Sequence, residues 1–129
     1  MSAIERFGAA PKGPGDRPMP FSRAVRAGDF VYVSGQVPMG EDSEIVPGGI
    51  VEQTHQTMKN VISALALAGA ELKHVVKCTV WLEDARDFAS FNKVFLGYFD
   101  AHKPARSCVE SRLMVDAKVE IEAIAYVGK

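Results

Sequence analysis

The sequence predicts an α+β domain in which two helices cover one face of a β-sheet. Three observations predict it. Residues 118–127 alternate with period two, residues 49–68 carry an apolar stripe at helical spacing, and Phe88, Phe91, Phe95 and Phe99 mark one side of a second helix. The elements run strands, helix, strand, helix, strands, an order that segregates the helices onto one side of a sheet. At 129 residues the chain can bury a core without disulfide or metal support, and one domain over residues 1–129 is expected.

Residues 9–20 hold four prolines and two glycines, a composition that resists helix and central strand and predicts an ordered surface loop. Residues 22–25 form a short extended run, and Ala27-Gly28-Asp29 a turn. Residues 30–34, Phe-Val-Tyr-Val-Ser, are aromatic and β-branched and predict a strand that Gly35 ends. A polar, Gly/Pro-punctuated connection follows over 38–49, with a short hairpin strand at 44–46. Ile50, Met58, Val61, Leu65 and Ala68 then recur at helical spacing, Thr54 continues their stripe, and Gly69 supplies the stop. In residues 74–82 the alternation sets Val76, Cys78, Val80 and Leu82 on one face. Asp84 is an N-cap for the second helix, Pro104 closes the helical region, and strands are expected at 106–113 and 118–127. In the last strand Val119, Ile121, Ala123, Ala125 and Val127 face the helices. Lys118, Glu120, Glu122, Ile124 and Tyr126 make a mixed opposite face, either solvated or buried in an oligomer.

Composition narrows the function. The net charge is −1 with both signs interleaved, so there is no basic stripe and no nucleic-acid partner is expected. No apolar run approaches the roughly 20 residues that span a bilayer, so no membrane partner is expected. Met1-Ser2-Ala3-Ile4-Glu5-Arg6 carries no signal-peptide pattern, and a cytoplasmic location is expected. Cys78 and Cys108 form no Cys-x-x-Cys pair and read as small buried hydrophobes. His55, His74 and His102 show no metal-ligand spacing, so no metal site is expected. Ser34 lies in no Gly-x-Ser-x-Gly elbow, and Gly13-Pro14-Gly15 lacks the context of a phosphate loop.

One segment carries chemistry, Pro104-Ala105-Arg106-Ser107-Cys108-Val109-Glu110. An arginine presents a fixed fork of donors that matches a planar carboxylate and never loses its charge. Spacing alone also allows a structural arginine paired with Asp100, Asp116 or a neighbouring subunit. Glu120 and Glu122 fit an acid/base role or a solvated strand face equally well.

That segment recurs with Pro20-Phe21-Ser22-Arg23-Ala24-Val25, Val33-Ser34-Gly35-Gln36, Gln53-Thr54-His55-Gln56-Thr57, Asn60, Asp87-Phe88, Asn92 and Val119-Glu120-Ile121-Glu122-Ala123. In this order and spacing the chain resembles the Rid family of reactive intermediate deaminases, also called the YjgF/YER057c/UK114 family. The resemblance implies a chorismate-mutase-like α+β fold assembled as a homotrimer, with a central barrel and sites at the subunit interfaces. It implies that Arg106 binds a substrate carboxylate, that the backbone beside Cys108 lines the site, and that Glu120 holds the attacking water. Ser34, Gly35, Asn92 and the Phe21 position complete the pocket. The implied reaction is hydrolysis of a 2-imino acid or its enamine tautomer, of the 2-iminobutanoate/2-iminopropanoate type, to a 2-oxo acid and ammonia, with no cofactor. Other readings are a different carboxylated enamine, a regulatory module that binds 2-oxo acids, and the endoribonuclease activity attached to some family names. Phe21 stands where the family usually has tyrosine, and residues 113–117 lack its usual proline; both differences bear on substrate range.

Overall fold

The computed structural model describes residues 3–9 and 18–129, so residues 10–17 of the loop expected over 9–20 lie outside it. Six strands form one sheet: β1 (Ile4–Ala9), β2 (Ser22–Ala27), β3 (Phe30–Gln36), β4 (Val75–Leu82), β5 (Ala105–Glu110) and β6 (Val119–Tyr126). Helix α1 (Ile50–Leu67) lies between β3 and β4, and α2 (Phe88–Phe99) between β4 and β5. The strand order is β1-β2-β3-β6-β4-β5. Neighbours pair antiparallel except β4 and β5, which are parallel. The sheet is therefore mixed, and α2 is the crossover that a parallel pair requires.

Both helices begin and end for local reasons. Gly49 precedes α1, and the Glu52 carboxylate accepts from its N–H at 2.7 Å, half of a capping box. At the other end Gly69, at φ +79°, turns the chain into the left-handed region. The Ala70 N–H then bonds the Leu65 carbonyl and the Gly69 N–H that of Ala66, a Schellman closure. Asp84 caps as expected, accepting from the Arg86 N–H at 2.9 Å, but what it caps is a 3₁₀ turn over Ala85–Asp87 that leads into α2.

The core lies between the helices and one sheet face. Val119, Ile121, Ala123 and Ala125 of β6 meet Val31, Val33, Cys78, Val80 and Leu82 from the flanking strands, and Met58, Val61, Leu65, Phe91, Phe95 and Phe99 from the helices. Each fully buried large side chain contributes about 1.5–3 kcal/mol. The stripe of α1, the Phe91, Phe95 and Phe99 row and the period of β6 thus form the interior as predicted, whereas Phe88, expected in the same row, is 46% exposed. Within α1, Gln53 ties two loops together. Its amide donates to the Val46 carbonyl at 3.1 Å and its oxygen accepts from the Lys118 N–H at 2.8 Å. No helix among the described residues is long and apolar enough to cross a membrane.

Three expectations need correction, and one strand was not foreseen. An edge strand, β1, forms from residues that carry no alternation, because pairing with β2 satisfies its backbone. In β4 the register shifts between Val75 and Lys77, so Val75 is buried while Val76 is 46% exposed. A bulge of this kind flips everything before it to the other face. The expected strand over 106–113 stops at Glu110, where the Ser111 N–H turns back to the Leu82 carbonyl at 2.8 Å. At 44–46 only a single bridge forms, Met39 to Ile45.

Candidate functional site

Arg106 opens β5, the last strand of the sheet, and stands opposite Cys78 in the parallel register. Cys78 faces the core, so Arg106 faces the helices as well. Its guanidinium lies over the rings of Phe88, Phe91 and Phe95 on α2, at 5.7, 5.5 and 5.0 Å. This is a π-platform that orients the fork without using its donors. Among the described residues Arg106 has no hydrogen-bond or ion-pair partner. Asp100, one of its possible structural partners, instead pairs with Lys103 at 3.4 Å. A partly buried, oriented guanidinium whose donors are unused is the arrangement that receives a carboxylate.

A cavity of about 300 Å³ lies beside it, between α2 and the start of β5. Asn92 lines the cavity with Arg106, and its side-chain oxygen is buried without a hydrogen-bond partner. Buried polar atoms are almost always satisfied, so an orphan on a residue that lines this cavity is unusual. Cys108, two residues on, points to the same side of β5 and lines a second cavity of about 220 Å³ with Phe88 and Glu110. Burial pushes its thiol above the ordinary cysteine range, with Arg106 pulling the other way. Cys78 behaves as the small buried hydrophobe expected: burial drives its thiol up to about 12. Cys108 is only partly buried and belongs to the cleft.

Glu120 sits elsewhere. It alternates with the buried Val119 and Ile121 on β6 and so points to the sheet face away from the helices. Burial raises its carboxyl above the ordinary glutamate range, and the neighbouring Glu122 raises it further. Gly35 makes room for it, since a Cβ at that position would overlap the Glu120 carboxylate. The register of β3 on β6 slips between Val33 and Gln36, which brings this glycine over the glutamate. Ser34 is held by its hydroxyl donating to the Ser22 carbonyl at 2.6 Å. Phe21, immediately before β2, is 45% exposed.

The seven residues singled out in the sequence therefore form two clusters. Arg106, Cys108 and Asn92 gather between α2 and β5, while Glu120, Gly35, Ser34 and Phe21 belong to β2, β3 and β6. Arg106 and Glu120 lie on opposite faces of one sheet, so a single chain does not bring them together. Sequence reasoning missed two parts of the cleft. Phe88, Phe91 and Phe95 are the platform under Arg106 as well as part of the aromatic stripe, and Leu96 lines the cavity. The spacing of Asn92 and Leu96, one turn apart beside the stripe, was the available signal.

Fold and site together define a small α+β protein whose Arg106, without a polar partner among the described residues, lies in an aromatic-walled cleft. The sequence model of the family described as endoribonuclease L-PSP matches residues 15–127. A RutC family protein of Pyrococcus abyssi is 50% identical over 109 residues, covering 83% of this chain and 86% of that one. The 2-iminobutanoate/2-iminopropanoate deaminase of Mus musculus is 41% identical over 111 residues, covering 84% and 82%. The crystal structure of E. coli TdcF with bound serine superposes with a TM-score of 0.84 at 34% identity, covering 96% of this chain and 99% of that one. The chain belongs to the Rid family, as its sequence motifs indicated.

Proposed function

We propose that the chain, one domain over residues 1–129, is a cytoplasmic imine/enamine deaminase. It hydrolyses 2-imino acids of the 2-iminobutanoate/2-iminopropanoate type, or their enamine tautomers, to 2-oxo acids and ammonia. The observation that carries this reading is the Arg106 guanidinium, which has no polar partner among the described residues and lines a cavity with Asn92. A 2-imino acid brings a carboxylate for that fork. The name of the mouse relative and the serine bound in TdcF support the same substrate class, since serine also carries a carboxylate and a nitrogen on adjacent carbons.

The protonated imine carbon is already electrophilic, so positioning and proton transfer suffice. Arg106 holds the carboxylate and fixes the plane of the C=N bond. Glu120 accepts a proton from water as its oxygen bonds to that carbon, then returns the proton to nitrogen. The carbinolamine collapses, the C–N bond breaks and ammonia leaves, while the hydroxyl passes its proton to the Glu120 carboxylate, which releases it to solvent, and the 2-oxo acid forms. Because Arg106 and Glu120 point to opposite faces, the reading includes a homotrimer in which Arg106 of one protomer faces Glu120 of the next. Phe30, Tyr32 and Tyr126, large and exposed on the Glu120 face, suit burial in such an assembly.

The test is a threonine dehydratase reaction that releases 2-iminobutanoate, followed by ammonia and 2-oxobutanoate appearance with and without the protein. Faster release is the expected result. Unchanged release with retained 2-oxo acid binding would make the chain a regulatory module, and RNA cleavage that copurifies through every step would make it a nuclease.

Gly35→Ala is a separate expectation. The added methyl meets the far end of a flexible glutamate rather than backbone, so the fold should survive while the carboxylate moves. Circular dichroism is expected unchanged, and kcat is expected to fall at least about tenfold because a misplaced base loses most of its contribution.

A further inference from the structure

The cavity beside Arg106 is larger and more apolar than a carboxylate and an imine require. Beyond the guanidinium and Asn92 its walls are Phe95, Leu96, Phe99 and Pro104. Lys103 stands at the rim, but its ammonium is already engaged by the Asp100 carbonyl at 2.8 Å and the Asp100 carboxylate at 3.4 Å. The lobe therefore offers no free charge to a second carboxylate. Leu96 is 48% exposed, an uncovered apolar side chain one helical turn from Asn92 on the wall that faces the ligand. The groove, about 300 Å³ and open to solvent, has more apolar wall than an ethyl group would cover.

We infer that the lobe between Leu96, Phe99 and Pro104 receives the apolar side chain of a 2-imino acid whose carboxylate is held by Arg106, so that branched or aromatic imino acids are favoured over the alanine-sized one. The inference rests on the deaminase reading and adds the substrate class to it. Contiguity supports it, because Arg106 and Leu96 line one cavity and a ligand clasped at the first points into the second. The energetics agree in sign: each methylene moved from water into an apolar wall raises kcat/KM about fourfold. Leu96 is then a specificity-determining residue, acting on the choice of substrate and not on the chemical step.

The experiment generates imino acids from alanine, 2-aminobutyrate, leucine and phenylalanine with an amino-acid oxidase and measures kcat/KM for each. The wild-type value is expected to rise at least tenfold from the alanine to the leucine imine. Leu96→Trp, which fills the lobe from a surface position, is expected to lower the leucine-to-alanine ratio at least tenfold. Leu96→Asp, which places a charge there without adding bulk, is expected to lower it as well, so a misfolded tryptophan variant does not decide the matter. A ratio unmoved by the folded variants, in a protein that still deaminates the alanine imine through Arg106, overturns the inference and leaves the deaminase reading standing. No acceleration with any imine overturns the deaminase reading itself.

Discussion

Arg106→Ala is expected to lower kcat/KM for 2-iminobutanoate by about 10²–10⁴-fold while leaving the fold intact. A fork on a carboxylate makes two charge-assisted hydrogen bonds, each worth about 1.5–3 kcal/mol, and each 1.4 kcal/mol is a factor of ten. The cost to the fold is small by comparison. Arg106 lies on an edge strand and has no polar partner among the described residues, so truncation forfeits only its contact with three rings, about 0.5–1 kcal/mol for a cation on an aromatic face. Arg106→Lys separates charge from geometry. It keeps a cation but not the planar fork, and an intermediate loss of activity is expected. Steady-state kinetics with urea denaturation of the same samples checks both. Activity within threefold of wild type in a folded Arg106→Ala protein would mean that the carboxylate is held elsewhere.

How much of this was legible in the sequence follows from where the hydrophobic effect acts. Strand β6 and both helices were visible because each buries one face, so Val119, Ile121, Ala123, Ala125 and the Phe91/Phe95/Phe99 row carry the period of their element. Strand β1 was not visible. Its role is to pair with β2, and backbone pairing leaves no trace in side-chain pattern. The Val76 bulge was hidden because one extra residue looks like continued alternation. For β5 the pattern pointed nowhere, since Ala-Arg-Ser-Cys-Val-Glu turns Val109 away from the helices and Arg106 toward them. The candidate site residues were named through family motifs. Their distribution over two sheet faces was not legible, because a face is assigned by strand order and register, and Arg106 and Glu120 belong to strands separated by β4.

That separation makes the Glu120 prediction the most discriminating. Glu120→Gln is expected to reduce kcat about 10²–10⁴-fold, the usual contribution of a positioned acid or base. It is also expected to stabilise the protein at neutral pH. Burial, then Glu122, raises the carboxyl above its unfolded value. Its favourable contribution is therefore fully present below the unfolded pKa and lost as pH rises through the folded one, so at neutral pH the ionised group opposes folding. Glutamine removes that cost, and a higher Tm with lower activity is the signature of a carboxylate kept for function. The same shift places the acid limb of the wild-type rate profile at a higher pH than an ordinary glutamate would, because only the ionised form accepts the proton from water. Mixing then tests the geometry. Arg106→Ala and Glu120→Gln proteins each keep only residual activity, but if the protein is a trimer whose sites take their arginine from one protomer and their glutamate from the next, random reassembly restores about a quarter of the sites. A site contained within one chain restores none, since every chain in the mixture lacks one of the two groups.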